Sequence, residues 1–189
     1  MIDIALKFIT DELGIYLHSR IGSGAPEVKL SKVVDESGKY IFGEETVAIT
    51  VINIEEERTF KSQVPEYIFK DGQHIVSEPE IKLCLHLLFS ANFSQYKEAL
   101  KCLSYLLTFF QSRTCFTPLA YPSLDFRIEK LTFELQNMGY DQINQVWAFL
   151  GAKHLPSIVY KMRLVIIHDE TVTGVQPPIT IINENLGNK

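Results

Sequence analysis

The sequence has few cysteines and no cluster of basic residues. Its three cysteines, Cys84, Cys102 and Cys115, are odd in number and lack C-x-x-C spacing, which disfavours a disulfide framework or a zinc knuckle. We expect all three to be reduced and structural. The net charge is -5 at pH 7, and no run of lysine or arginine occurs. Because nucleic-acid binding depends on clustered cations that neutralise phosphates, we expect no nucleic-acid partner.

Long apolar runs and catalytic motifs are also missing. No stretch approaches the roughly 18 consecutive apolar residues of a membrane span, so we expect no membrane insertion. The N-terminal MIDIALKF carries an acid where a secretory leader needs cations, which favours a protein retained in the cytoplasm. G-x-S-x-G, H-E-x-x-H and Walker motifs do not occur, and GSGAPE follows a helical pattern rather than a strand. We therefore expect no cofactor, no metal and no catalytic residues.

Apolar spacing predicts three helices. The first runs from residue 2 to IGSG, where Gly22 or Gly24 allows a left-handed cap. A long second helix follows Ser94 as its cap. Its apolar stripe comprises Tyr96, Leu100, Leu103, Leu106, Leu107, Phe109 and Phe110. A short third helix begins at Asp141 and ends at Gly151.

Strand patterns occupy much of the remaining sequence: EVKLSKVV, TVAITVINI, IKLCLHLLF, RIEKLTFEL and SIVYKMRLVII. The second has β-branched residues on both faces, which predicts a central strand covered on each side. Alternation in the fourth directs Leu131, Phe133 and Leu135 inward. We predict a single α+β domain over residues 1–168, with a mixed β-sheet flanked by helices, and an extended C-terminal tail over 169–189.

Three consecutive glutamates, Glu55, Glu56 and Glu57, follow the predicted central strand, and Arg58 comes next. Alternation along a strand places at most two of the three on one face. No D-x-D or H-x-H pattern lies near them to complete a metal site. We therefore favour a solvated strand end or the rim of an interface over a carboxylate metal site.

Cys84 and His86 lie two residues apart on one strand face, a spacing that suits a nucleophile with its base or a pair of metal ligands. No third member of such a site is visible, so we favour a buried thiol beside a hydrogen-bonded core histidine. Two aromatic pairs, Trp147 with Phe149 and Phe109 with Phe110, are consistent with an aromatic ligand-binding site. Aromatic residues at helical spacing belong more often to the core.

Several longer segments carry a family resemblance: MIDIALKFITDEL, INIEEER, LLFSANFSQYKEALKCLSYLLTFFQS, YPSLDFRIEKLTFEL and NQVWAFLGAKHLPSIVYKMRLV. In this order, over about residues 1–168, they resemble the N-terminal domain of the cap, or tail-terminator, proteins of extracellular contractile injection systems. These phage-tail-like particles are of the antifeeding-prophage and virulence-cassette type. The resemblance implies a tail-terminator-like fold without catalytic residues.

The resemblance also implies a function and partners. A homo-oligomeric, hexameric ring would sit on the last ring of the inner tube protein, stop its polymerisation and hold the end of the sheath protein. Assembly would occur in the cytoplasm before the particle is released. The alternative function is an adaptor or baseplate-associated module of the same particle without a terminating role, and an enzyme using Cys84 and His86 is a third class.

Two segments become candidate interfaces under this resemblance. Charges at Glu55, Glu56, Glu57 and Arg58 suit an interface rim, where they contribute to specificity and association rate. The second candidate is the apolar run Ile179, Thr180, Ile181 and Ile182, which follows Pro177 and Pro178. This run has high strand propensity but too few neighbours for a sheet of its own. Pairing with its own domain and strand addition to a neighbouring subunit both stay open.

Overall fold

A computed structural model describes residues 1–57, 66–70, 73–77, 81–166 and 174–176. Within these ranges lie three α-helices: α1 (Ile2–Ile21), α2 (Tyr96–Ser112) and α3 (Tyr140–Leu150). The strands are β1 (Glu27–Leu30), β2 (Thr46–Glu56), β3 (Glu66–Lys70), β4 (Gln73–Ser77), β5 (Ile81–Asn92), β6 (Cys115–Phe116), β7 (Ile128–Leu135), β8 (Ser157–Ile166) and β9 (Gly174–Gln176). The predicted helices and the α+β class are confirmed.

The main sheet has six strands in the order β1-β2-β5-β8-β7-β6. The β1–β2 pair is parallel and the others are antiparallel, so the sheet is mixed as predicted. The prediction of a central position for β2 is wrong, because β5 and β8 occupy the middle. Both faces of β2 are buried only from Thr46 to Thr50, and the residues from Asn53 to Glu56 are exposed. The composition of a strand indicates its local burial but not its place in the sheet.

A second sheet has the order β3-β4-β9, and both of its strand pairs are antiparallel. Along the chain β3 follows β2, β4 precedes β5 and β9 follows β8, so the small sheet repeats the order β2-β5-β8. The β3–β4 hairpin was not predicted, although the sequence has Asp71-Gly72 between the two strands, a pair favoured in two-residue hairpins. β9 lies within the predicted extension and pairs with β4 of the same chain.

Helices α1 and α2 bury their apolar sides on one face of the main sheet, in the largest cluster of buried residues. Phe110 stacks on Phe133 with ring centroids 4.4 Å apart, and Phe109 contacts Phe110 at 5.0 Å. Such aromatic pairs contribute about 0.5–1.5 kcal/mol beyond their buried area. Phe109 and Phe110 are therefore core residues, as favoured from the sequence.

The predicted stripe of α2 is partly wrong, because Tyr96 and Leu100 are 67% and 44% exposed. Ala99 and Cys102 are buried instead. Small residues allow the helix to approach the sheet, and a pattern built from large apolar residues overlooks them. The predicted cap is also shifted by one residue: α2 begins after Gln95, and the Ser94 hydroxyl donates to Glu45 Oε1 at 2.9 Å.

The opposite face of the sheet is covered by α3 and by the segment between β1 and β2. The buried Trp147 of α3 packs with Val33, Phe42 and Leu88 in a second cluster. Gly139, not the predicted Asp141, precedes α3, and the Gly139 N–H donates to Gln142 Oε1 at 3.0 Å. Gly151 ends α3 in the left-handed conformation, as predicted.

Two further expectations about buried residues differ from the structure. Leu135 is 44% exposed, whereas Leu131 and Phe133 are buried as predicted. Leu135 is the last residue of β7, so alternation alone does not bring it under a helix. Phe149 is 82% exposed and is therefore not a core residue.

We predict that Phe109→Ala lowers the free energy of unfolding by about 3–5 kcal/mol, because this ring is fully buried. Tyr96→Ala, at a position that the sequence placed on the same stripe, should change it by less than about 0.5 kcal/mol. Urea unfolding followed by the fluorescence of Trp147, the one tryptophan of the chain, measures both. Equal losses of unfolding free energy for the two variants would contradict the burial of Phe109 and the exposure of Tyr96.

Candidate interface at the end of the main sheet

A β-bulge in β2 controls which residues face α3 at the end of this strand. Val51 lies opposite Leu87, whereas Asn53 lies opposite His86, so Ile52 is an extra residue on β2. Such a bulge shifts the alternation by one position and increases the local twist.

The glutamates follow the bulge and divide between the two faces of the sheet. Glu55 lies opposite Cys84, and Glu56 opposite Leu83. Glu55 therefore shares the α3 face with Cys84, and Glu57 also reaches the Cys84 thiol on that face. Glu56 lies on the α1/α2 face with Leu83, so two of the three share a face, as the sequence predicted. Without the bulge every side chain beyond it would exchange faces.

Glu57 is part of a charged network rather than a fully solvated strand end, since its side chain is 18% exposed. Its Oε2 lies 3.7 Å from Arg163 Nε and accepts a hydrogen bond from Cys84 Sγ at 3.4 Å. Its backbone N–H donates to the Lys82 carbonyl at 2.8 Å. Arg163 Nη2 also lies 3.3 Å from Glu134 Oε2 on β7. The network thus joins the end of β2 to β8 and β7.

His86 lies beside this network and is half-buried, and its buried Nε2 atom has no hydrogen-bond partner. The carboxylate oxygen Glu55 Oε2 lies 3.6 Å from His86 Nε2, beyond hydrogen-bond reach. Asn53, the residue opposite His86, instead donates its side-chain amide to Glu55 Oε1 at 2.7 Å. The expected hydrogen bond of a core histidine is therefore not made at Nε2.

The Cys84 thiol is a poor nucleophile in this setting. Burial raises its pKa, and the hydrogen bond to the Glu57 carboxylate raises it further, although the charge of Lys161 acts in the opposite direction. Burial also raises the pKa of Cys102 to about 12. Cys115 is exposed, so the expectation of three structural cysteines is wrong for this residue, which lies on the two-residue edge strand β6.

Within the described residues, no group of three or more His, Cys, Asp or Glu side chains is arranged to hold a metal ion. None of the helices in those same ranges is long and apolar enough to cross a membrane. The candidate residues Arg58, Ile179, Thr180, Ile181 and Ile182 lie outside the described residues.

An open groove runs between α3 and the main sheet, next to the charged network. Its volume is about 410 Å³, and Ile52, His86, Val146 and Phe149 contribute to its lining. The groove was not predicted from the sequence. Phe149 was one of the aromatic residues considered for a ligand site, but the bulge that brings Ile52 to the same place has no signal in the sequence. The end of the sheet at the C-terminus of β2 therefore offers charged side chains and an adjoining apolar depression, which suits binding to another protein.

A family model described as the Pvc16 N-terminal domain matches residues 7–181 of the chain. The chain belongs to this family. The resemblance inferred from the sequence segments is thereby confirmed, and the match continues past residue 168 into the predicted extension. No curated protein matches the chain.

Solved structures share the fold of this Pvc16 N-terminal domain. The sheath/tube terminator of PVC, an extracellular contractile injection system, in its extended state matches with a TM-score of 0.70 and 14% identity over 100% of this chain and 64% of that chain. The tube-terminating cap of the anti-feeding prophage matches with a TM-score of 0.62 and 11% identity over 94% and 60%. The chain thus spans less than two thirds of either protein, and the likeness establishes the tail-terminator fold.

We predict that a thiol reagent labels one cysteine per folded chain rapidly, namely Cys115. Cys84 and Cys102 should react slowly because burial keeps both thiols protonated and inaccessible. Cys115→Ser should remove the rapid phase, and denaturant should expose all three thiols of the unsubstituted chain. Rapid labelling of Cys84 in the folded Cys115→Ser variant would instead support the nucleophile interpretation.

Proposed function

We propose that this chain is a structural cap that ends the inner tube of a phage-tail-like contractile injection system and anchors the last sheath ring. The observation that carries the proposal is the likeness of the entire chain to a sheath/tube terminator, together with its membership of the Pvc16 N-terminal domain family. The tube-terminating cap of the anti-feeding prophage provides a second structure of the same fold. The role is non-enzymatic, which agrees with the protonated, buried thiol of Cys84.

The proposed cap is a hexameric ring of identical chains. A tube grows by repeating one heterologous contact, so its terminator must present one surface that accepts the tube and another that no further subunit accepts. The partners are the inner tube protein and the sheath protein. Assembly takes place in the cytoplasm, and the cap becomes part of a particle that acts outside the cell.

Deletion of this chain from the producing cells tests the terminating role. We expect inner tubes of uncontrolled length and particles without an ordered sheath end, and complementation with the chain should restore uniform length. Electron microscopy measures both. Tubes of normal length in the deletion strain would instead favour the adaptor or baseplate-associated role, which has no effect on termination.

Glu55, Glu56, Glu57 and Arg58 form the proposed rim of the cap interface. Glu55 and Glu56 are exposed at the strand end, whereas Glu57 is largely buried against Arg163. The first two therefore suit contact with another subunit or the tube, and Glu57 holds the strand end in place.

We predict that Glu55→Gln with Glu56→Gln changes the free energy of unfolding by less than about 0.5 kcal/mol, because exposed carboxylates contribute little to stability. The same double variant should weaken assembly, most strongly at low salt. Glu57→Gln should cost about 1–3 kcal/mol of stability, because it removes the charge that faces the guanidinium of Arg163. Urea unfolding and sedimentation at two salt concentrations measure these effects.

A matched control replaces Glu36 and Glu44, which are exposed in the loop before β2, by glutamine. It removes the same charge away from the proposed rim and should leave assembly unchanged. Equal weakening by the control and by the double variant would mean that net charge, not the rim, controls assembly.

The C-terminal extension over 169–189 supplies a second contact in this proposal. Gly174–Gln176 pairs with β4 of the same chain, which ties the start of the extension to its own domain. We propose that the following run, Ile179, Thr180, Ile181 and Ile182, adds a strand to an open sheet edge of an adjacent cap or sheath subunit.

Two truncations separate the extension's possible roles. A chain ending at Gln176 keeps β9 and should fold and form rings normally but fail to retain the sheath. A chain ending at His168 also loses β9 and should be less stable as a monomer. If the chain ending at Gln176 folds but does not close rings, the acceptor of the run is a neighbouring cap subunit. If the same chain is less stable as a monomer, the run belongs to its own domain.

A further inference from the structure

Two arginines from different helices stack on the same tyrosine ring. Arg20 belongs to the last turn of α1, and Arg113 follows the last residue of α2. Their Cζ atoms lie 5.3 and 5.4 Å from the centroid of the buried Tyr16 ring. The Cζ atom of Arg113 also lies 5.0 Å from the centroid of Phe109. We call Arg20 and Arg113 the arginine pair.

Two buried aromatic rings hold the arginine pair in place. Tyr16 on α1 and Phe109 on α2 have centroids 5.1 Å apart, so the two helices present one aromatic surface to both guanidinium groups. An aromatic ring attracts a guanidinium stacked on its face, and the N–H groups of the guanidinium stay available to acceptors. The arginine pair is therefore a preorganised set of charged hydrogen-bond donors.

No carboxylate in the described part of the chain neutralises the arginine pair, since none lies within 4.0 Å of either guanidinium. The other arginines in those ranges are paired, Arg127 with Asp125 and Arg163 with Glu57 and Glu134. The dipole of each helix favours a cation at its C-terminus. Two like charges that share one ring nevertheless repel each other, and an anion from outside the chain would remove this repulsion.

A carboxylate is the anion that fits the arginine pair best, because a guanidinium binds it through two parallel hydrogen bonds. The candidate interface at the end of β2 offers two adjacent exposed carboxylates, Glu55 and Glu56. Ile54 shares the α1/α2 face with Glu56 and is 49% exposed. An exposed apolar side chain beside a carboxylate matches an arginine, whose aliphatic stem packs on apolar surface while its charged group pairs.

We propose that the arginine pair of one copy binds the Glu55 and Glu56 carboxylates of the next copy. The pair lies at the ends of α1 and α2, whereas the glutamates lie at the end of β2, so the contact is heterologous. Such a contact repeats from chain to chain until it closes a ring. This inference rests on the ring of the proposed function and names the charged surfaces that join its subunits.

Charge reversal tests the contact. The arginine variant carries Arg20→Glu and Arg113→Glu, and the glutamate variant carries Glu55→Arg and Glu56→Arg. Each variant alone should self-associate at least about 30-fold more weakly than the unsubstituted chain, because like charges meet at every contact. A 1:1 mixture should form rings in which the two variants alternate, because each contact then joins an acidic and a basic surface. Native mass spectrometry of variants with different mass labels measures the composition of the rings.

Recovery of rings in the mixture also shows that both variants are folded. A milder pair of variants, Arg20→Glu and Glu55→Arg, changes one exposed residue on each surface and should give the same pattern with smaller losses. This milder pair replaces the double variants if Arg113→Glu, which removes a side chain that packs on Phe109, lowers the yield of folded chain.

A matched control carries Glu36→Arg and Glu44→Arg, at exposed positions in the loop before β2. It reverses the same charge as the glutamate variant and should form rings alone. Rings from the arginine variant alone, a mixture that does not form rings, or loss of rings in the control would each overturn the contact while leaving the cap proposal standing. Normal rings of the arginine variant that no longer bind the inner tube protein would place the partner carboxylates on the tube instead. Failure of the unsubstituted chain to associate even with tube protein would overturn the ring itself.

Discussion

The fold depends on a sheet whose two faces receive unequal cover. α1 and α2 together bury one face with a continuous aromatic and aliphatic cluster. The other face is covered by α3 and by the buried Val33 and Phe42 of the segment between β1 and β2. α3 is an 11-residue helix about 16 Å long, whereas β5 has 12 residues and extends about 40 Å. This cover buries the part of the face around Leu88 and Val159. At the other end of the same strands, around Arg163, the charged side chains pair with one another, because unpaired charges beside an apolar core are costly.

The charged network and the groove between α3 and the main sheet both lie where the cover of this face ends. The bulge at Ile52 turns Glu55 and Glu57 toward the uncovered region, where Arg163 joins Glu57 to Glu134 across the sheet. The same bulge places Ile52 at the wall of the groove. One inserted residue thus determines which charged side chains and which apolar side chain lie at the candidate interface. The geometry of this interface therefore depends on the bulge as well as on the run of glutamates.

The sequence predicted the helices, the main strands and the family, because periodic apolar residues and long ordered segments carry those signals. It placed Tyr96 on the α2 stripe instead of Ala99, since small buried residues have weak apolar signals. It also could not predict the bulge at Ile52, which arises from pairing between distant strands. The three glutamates were therefore identified from the sequence, where they form a run. The partners of Glu57 and the groove between α3 and the main sheet could be identified only from the three-dimensional structure.

The proposed capping of a tube by this chain is tested most directly by a cryo-EM map of the ends of particles assembled with the chain. One ring of the chain should be bound between the last inner-tube ring and the end of the sheath, at the end opposite the baseplate. Density for the chain along the tube or at the baseplate, with a bare tube end, would contradict it.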